Sequence, residues 1–206
     1  MIKLPVYEIF YSLQGEGRNV GMAACFVRLA GCNVGCDFCD EKKAWSKSNS
    51  VLMNADEILQ KVKEFSATNV IVTGGEPTLY DLSELTKALH DSGIKTYIET
   101  SGVNPITGFW DWITLSPKKN KLPLPKSLQK ANELKVVIEQ EKDFIFAENM
   151  RSQAITKKDS DVIEKVFYLQ PEYSKKETVL PIIEEYIKAN PVWRLSLQMH
   201  KMINVK

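Results

Sequence analysis

The chain has 206 residues, 44% hydrophobic and 26% charged, with a formal net charge of +1. These values suit a single soluble globular domain over 1–206 and exclude a disordered chain or a strongly basic nucleic-acid binder. No apolar run approaches the roughly 20 residues of a membrane span, and the start MIKLPVYEIF lacks a secretory signal's basic and long apolar parts, so a cytoplasmic protein is expected.

ACFVRLAG (24–31) reads as a buried strand that runs directly into GCNVGCDFCD (31–40), where three cysteines stand within eight residues. NADEILQKVKEF (54–65) is a well-signalled helix: Asn54 caps it, Glu57 completes a capping box, and Ile58, Leu59, Val62 and Phe65 form one face. NVIVTGGEP follows as a buried strand ending in a glycine turn. DLSELTKALHDSG is a second helix, with Asp81 and Glu84 at its start, His90 near its end and Gly93 as its stop. IKTYIETSG, DWITLSP and ELKVVIE read as further strands. The basic run PKKNKLPLPKSLQK (117–130), with five lysines and no acid, reads as a solvated loop that could turn one lysine toward an anion. EKDFIFAENMR predicts a helix, KVFYLQP a strand, ETVLPIIEEYIKAN a helix around Pro181, and VWRLSLQ a late strand.

Strands alternating with helices imply βαβ units and a largely parallel sheet. TGGEP, ETSG, LSPK, LQP and the cysteine loop all follow apolar runs, so all five should share the rim at the carboxyl ends of the strands. Turn chemistry alone explains any one of these polar ends, but less readily all five.

Cys32, Cys36 and Cys39 form the cluster, whereas Cys25 stands in the apolar run MAACFVRLA and reads as a small buried hydrophobe. A disulfide framework would spread its cysteines through a smaller chain. Structural zinc needs a fourth ligand, and neither His90 nor His200 has ligand-like spacing. A [4Fe–4S] cluster on three thiolates leaves one iron open to an outside ligand, and Gly31 and Gly35 let the backbone wrap so bulky a group.

Cys-x3-Cys-x2-Cys with Phe38 before the last cysteine resembles the signature of the radical S-adenosylmethionine superfamily, and TGGEP some 35 residues later strengthens the likeness. In that superfamily S-adenosylmethionine chelates the open iron, and its reductive cleavage gives a 5′-deoxyadenosyl radical. YEIFYSLQGEGRNVGMAACFVRLAGCN closely resembles the 7-carboxy-7-deazaguanine synthase family, and the correspondence continues through CDEKKAW, VTGGEP, ETSG, LSPK, YLQP and RLSLQMHK. The resemblance implies an abbreviated, incomplete (β/α) barrel with a largely parallel sheet. It implies a homodimer served by an external one-electron reductant of the flavodoxin or ferredoxin type, while the net charge of +1 and the lack of a long apolar run lead to an expectation of no nucleic-acid or membrane partner. The implied reaction is a lyase step in queuosine biosynthesis: ring contraction of 6-carboxy-5,6,7,8-tetrahydropterin to 7-carboxy-7-deazaguanine with loss of ammonia.

The same resemblance assigns residues. Cys32, Cys36 and Cys39 would hold the cluster. Leu13, Gln14, Gly15, Glu16, Arg28 and Thr73 would bind the pterin. Gln14 and Glu16 suit the donor and acceptor edge of an aminopyrimidinone, and Arg28 suits a carboxylate. Phe38, Asp40, Gly75, Ser101, Ser116, Lys118 and Gln170 would bind S-adenosylmethionine. Gln198 and His200 match a family motif without an assigned role. Where relatives commonly carry Thr or Ser beside a magnesium ion, this chain has Glu41. Either Glu41 ligates the metal, or it turns away and a nearby lysine replaces the ion; a merely solvated Glu41 is the plain alternative. The rival readings are a glycyl-radical-enzyme activase, which has no use for LQGEG, and a non-enzymatic metal-binding module.

Overall fold

The computed structural model describes residues 2–155 and 165–206. Strands β1 (Leu4–Leu13) and β2 (Ala23–Leu29) pair antiparallel, and the short β3 (Val51–Met53) adds antiparallel to the other edge of β1. From β2 onward every pairing is parallel, through β4 (Asn69–Gly74), β5 (Lys95–Thr100), β6 (Trp112–Leu115), β7 (Glu133–Ile138), β8 (Val166–Pro171) and β9 (Trp193–Leu195). Parallel neighbours need crossovers, which α1 (Ala55–Glu64), α2 (Ser83–Asp91), α3 (Pro125–Lys130), α4 (Asp143–Ala154) and α5 (Lys176–Ala189) supply. A short α6 (Met199–Met202) follows β9. Among the described residues the sheet has β3 and β9 as edges, so it is open: an incomplete β/α barrel.

The two-residue period of each strand divides the sheet into two faces. Cys25, Val27 and Leu29, Val70 and Val72, Ile98, Ile113 and Leu115, Leu134 and Val136, and Leu169 all enter the main core. There they meet Ile58, Val62, Leu85, Leu89, Phe144, Ala147, Met150, Val179 and Ile183 from the helices. Each such Val, Leu, Ile, Phe or Met side chain contributes about 1.5–3 kcal/mol by leaving water. The alternate positions face the concave side. Ala24, Phe26 and Ile71 make a small apolar floor there with Phe10, Met22 and Tyr97. By the same alternation Arg28, Thr73, Glu99, Lys135 and Gln170 share that side.

The cap on α1 is the expected box: Glu57 N donates to Asn54 Oδ1 at 2.9 Å and Asn54 N to Glu57 Oε2 at 2.7 Å. Phe65 departs from expectation, since it lies just past the helix, is half-exposed and stacks on Tyr11 instead of entering the core. Strand β1 was not legible as a strand because a register shift lies between Val6 and Glu8. Leu4 and Val6 therefore face the core while Phe10 faces the concave floor, and the alternation is lost along LPVYEIFYSL. The basic run is not simply a solvated loop. Pro125 opens α3, which buries Leu128, and Lys118 turns inward. The late strand is also shorter than VWRLSLQ, ending at Leu195.

Candidate active site

The carboxyl ends of β2, β4, β5, β6 and β8 open on one cleft, lined by Cys32, Gly75, Ser101, Ser116 and Gln170 among others. The cysteine loop forms its upper wall with Cys36, Phe38, Cys39, Asp40 and Glu41. Cys32, Cys36 and Cys39 are all free thiols and partly exposed, whereas Cys25 is buried in the core, where desolvation pushes its thiol up to about 12. Val34 N donates to Cys32 Sγ at 3.4 Å and Trp45 Nε1 to Cys39 Sγ at 3.3 Å, so the loop already directs donors at sulfur. From outside, Asn120 Nδ2 holds Val34 O at 2.9 Å and Lys121 Nζ holds Asn33 O at 2.8 Å. Among the described residues no three His, Cys, Asp or Glu side chains converge tightly enough for one bare ion. Three thiols spread around a cleft with an amide-rich loop suit a bulky iron–sulfur cluster better than zinc.

Glycine and glutamate in TGGEP fasten this wall to its neighbours. Gly75 N donates to Leu29 O at 2.9 Å, and a Cβ at Gly75 would run into the Gly31 carbonyl, so only glycine permits the approach. Glu76 is buried and accepts from Thr78 N at 3.1 Å, Ser101 N at 2.8 Å and the hydroxyls of Thr78, Thr100 and Ser101. The GGEP and ETSG turns thus form one hydrogen-bonded block. Lys118 reaches into the cleft, donating to Ser116 Oγ at 2.8 Å with its ammonium 5.3 Å from the Phe38 ring centroid. Burial lowers its pKa, against the pull of Cys36.

Deeper on the concave face lies a charged array. Lys135 is 4% exposed, with its ammonium on Glu16 and, at 3.3 Å, on Glu99. Burial would raise the Glu16 pKa, but the Lys135 charge and hydrogen bonds from Lys135 and Gln198 outweigh it and hold Glu16 at about 2. Glu99 shares the same lysine less closely. Burial, reinforced by the charges of Glu133 and Glu16, pushes it up to about 7. Glu133 is 1% exposed; Oε2 accepts from Arg18 N at 3.2 Å and Trp112 Nε1 at 3.0 Å, while Oε1 is buried without a partner among the described residues. Burial raises its pKa too. Gly17, at φ +65°, lies against that carboxylate where a Cβ would collide with it. Arg28, at the cleft edge, donates from Nε to Glu8 Oε1 at 2.9 Å.

Glu16, Arg28 and Thr73 line the cleft together with Phe38, Asp40, Glu41, Gly75, Ser101, Ser116, Lys118, Gln170 and the three cysteines. Leu13, Gln14 and Gly15 are not among its lining residues. Leu13 is partly exposed at the end of β1, Gln14 donates to Glu99 Oε1 at 3.0 Å, and Gly15 packs against His200. The last two therefore shape the loop that carries Glu16. Sequence reasoning missed Glu99, Glu133 and Lys135, and also Tyr173, which lines the cleft. The signal for the first three was charge inside strands: an acid in KTYIET, and an acid and a lysine two apart in ELKVVI, which alternation puts on one face.

The open, largely parallel sheet and a three-cysteine loop at its rim define a radical S-adenosylmethionine protein, and the Radical SAM superfamily profile matches residues 27–113. A 7-carboxy-7-deazaguanine synthase from Flavobacterium psychrophilum is 44% identical over 202 residues, covering 98% of this chain and 92% of that protein. A Synechocystis protein of the same name is 42% identical over 205 residues, covering 100% and 95%. The crystal structure of QueE from Escherichia coli superposes with a TM-score of 0.84 at 32% identity, covering 96% of this chain and 95% of that one. The chain belongs to the 7-carboxy-7-deazaguanine synthase family.

Proposed function

We propose that this enzyme converts 6-carboxy-5,6,7,8-tetrahydropterin to 7-carboxy-7-deazaguanine with loss of ammonia, in the cytoplasm, for queuosine biosynthesis. The observation that carries this reading is that one cleft joins the cysteine loop to a buried set of carboxylates and an arginine. A pterin with an aminopyrimidinone edge and a carboxylate needs both kinds of partner. Cys32, Cys36 and Cys39 would hold a [4Fe–4S] cluster that, with S-adenosylmethionine, supplies one-electron hydrogen-abstraction chemistry. Gly75, Ser101, Ser116, Lys118 and Gln170 on the strand ends, with Phe38 and Asp40 above, would hold S-adenosylmethionine.

Glu16, ionised beside Lys135, accepts from the pterin's N–H groups, and Thr73 stands beside it on the cleft wall. The outer edge of Arg28, whose Nε is engaged by Glu8, takes the substrate carboxylate. Gln14 and Gly15 keep the loop in place. Glu41, which lines the cleft beside Asp40, would offer a hard oxygen to a magnesium ion. The protein's contribution is alignment and exclusion of water, since the hydrogen abstraction needs no side-chain acid or base. A homodimer and an external flavodoxin- or ferredoxin-type reductant complete the working enzyme.

Anaerobic reconstitution with iron and sulfide, followed by spectra with and without S-adenosylmethionine, tests the class. A spectrum unmoved by S-adenosylmethionine would leave a non-enzymatic metal-binding module. Incubation with the carboxy-tetrahydropterin then tests the substrate. Formation of the deazapurine supports the proposal; its absence, with S-adenosylmethionine still cleaved, favours an activase.

A further inference from the structure

Gln198 joins the two halves of the site through a single amide. Its Nε2 donates to Glu16 Oε1 at 2.8 Å and to Asp40 Oδ2 at 2.8 Å. A primary amide carries two N–H groups, so one serves each carboxylate. Its Oε1 accepts from Lys201 Nζ at 3.0 Å, and the same ammonium bonds Asp40 Oδ1. Glu16 belongs to the loop between β1 and β2. Asp40 directly follows the last cysteine of the rim loop.

The chain around Gln198 is also pinned to the loop between β1 and β2 and to the end of β8. Met199 N donates to Gly15 O at 2.9 Å. Gly17 N donates to Ser196 Oγ at 3.0 Å, and Ser196 Oγ donates to Gln170 Oε1 at 2.8 Å. Gln198 is 8% exposed, Ser196 3% and Gln170 4%. Two carboxylates from separate loops repel when brought together unless a donor stands between them, and a space-filling side chain would not supply that donor.

We infer that Gln198 is a positioning residue that couples the pterin end of the cleft to the S-adenosylmethionine end. The inference rests on the proposed function for the identity of the two ligands. A ligand that fixes Glu16 holds one arm of the amide fork, and the fork then holds Asp40 for the second ligand. The reverse sequence works equally, because coupling between two binding sites is reciprocal. The second ligand then orders less of the chain and binds more tightly.

The test uses the reconstituted full-length enzyme with its cluster left oxidised, so that both ligands bind without turnover. Equilibrium dialysis measures S-adenosylmethionine affinity with and without saturating carboxy-tetrahydropterin, and the reciprocal pair. The expected result is an enhancement of about fivefold or more in each direction, within the usual range for coupled sites. In Gln198→Met, which matches the length but has no donor, the factor should fall to about one while each ligand still binds alone. The steady-state KM for the pterin, and the S-adenosylmethionine concentration that gives half the maximal rate, should rise more than kcat falls. Gln198→Asn, too short to reach both carboxylates, should give an intermediate factor and keeps the test decisive if Gln198→Met does not fold. Binding of both ligands by wild type with a factor of one, or the full factor surviving in the variants, overturns the coupling alone. Failure of wild type to bind the pterin overturns the functional reading and the coupling with it.

Discussion

Lys135 and Glu99 stand on strands that are not neighbours, yet the Lys135 ammonium lies 3.3 Å from Glu99 Oε2. Strand β6 runs between β5 and β7, and its buried Thr114 is level with Glu99 on one side and Glu133 on the other. The curvature of the open sheet brings the two long side chains together across β6. The same lysine holds Glu16, so one cation ties the loop between β1 and β2 to the sheet.

Removing that cation should be the costliest single change in the cleft. Lys135→Met leaves Glu16, Glu99 and Glu133 without their shared counter-charge and should cost on the order of 3–5 kcal/mol. Chemical denaturation of the apo-protein measures it. Adding Glu99→Gln to Lys135→Met should recover part of the loss; a double variant as unstable as the sum of its parts would contradict the shared-charge account.

Stability should fall as pH rises through neutrality. Glu99 is pushed up to about 7 from an ordinary 4.5, so the folded state holds a proton that the unfolded chain releases. Its stabilising contribution is full below about 4.5 and is lost as pH passes 7. Glu133, also raised, acts in the same direction, whereas Glu16 at about 2 has finished titrating below this range. Lys135 stays charged throughout, its pKa raised because the attraction of Glu16 and Glu99 outweighs burial. His200, lowered by burial, works in the opposite sense below its ordinary 6.5. Melting temperatures at pH 6.5 and 8 should therefore drop in wild type, and the drop should shrink in Glu99→Gln.

The cysteines should separate by role. Cys32→Ser, Cys36→Ser and Cys39→Ser should each abolish the iron and sulfide content of the reconstituted protein. Cys25→Ala should retain both and lose only about 1 kcal/mol of stability, since that thiol is a core filler.

Gly75→Ala should damage the site through backbone alone. Its Cβ meets the Gly31 carbonyl at the root of the cysteine loop, so the loop must shift. The expected outcome is a loss of about 1–3 kcal/mol and weakened binding of S-adenosylmethionine, read by denaturation and dialysis.

Glu41 lines the cleft one residue beyond Asp40. With magnesium bound there, rigorous metal removal should lower activity and Glu41→Gln should raise the magnesium concentration needed to restore it. Activity indifferent to magnesium removal would rule out that ligation and leave either a lysine in place of the ion or a merely solvated Glu41.

Much of this site was written locally. GCNVGCDFCD, TGGEP and ETSG carry glycine, cysteine and small polar residues whose chemistry is tied to turns at strand ends, and the alternation of apolar runs placed those turns on one rim. What stayed hidden depended on partners distant in the chain. Gln198 bonds groups 158 and 182 residues away, and Lys135 meets Glu16 119 residues away. Strand β1 was hidden by an irregularity in register rather than by distance.

The sequence by itself determined the secondary elements with clean periodicity, the separation of Cys25 from the other three cysteines, and the family. Each is a property of neighbouring residues or of a pattern repeated along the chain. Only the tertiary structure decided that Glu99, Glu133 and Lys135 form one buried array, and that the C-terminal segment clasps both loops. Those arrangements follow from sheet curvature and from the electrostatics of charges brought out of water together, and neither quantity exists until the chain has folded.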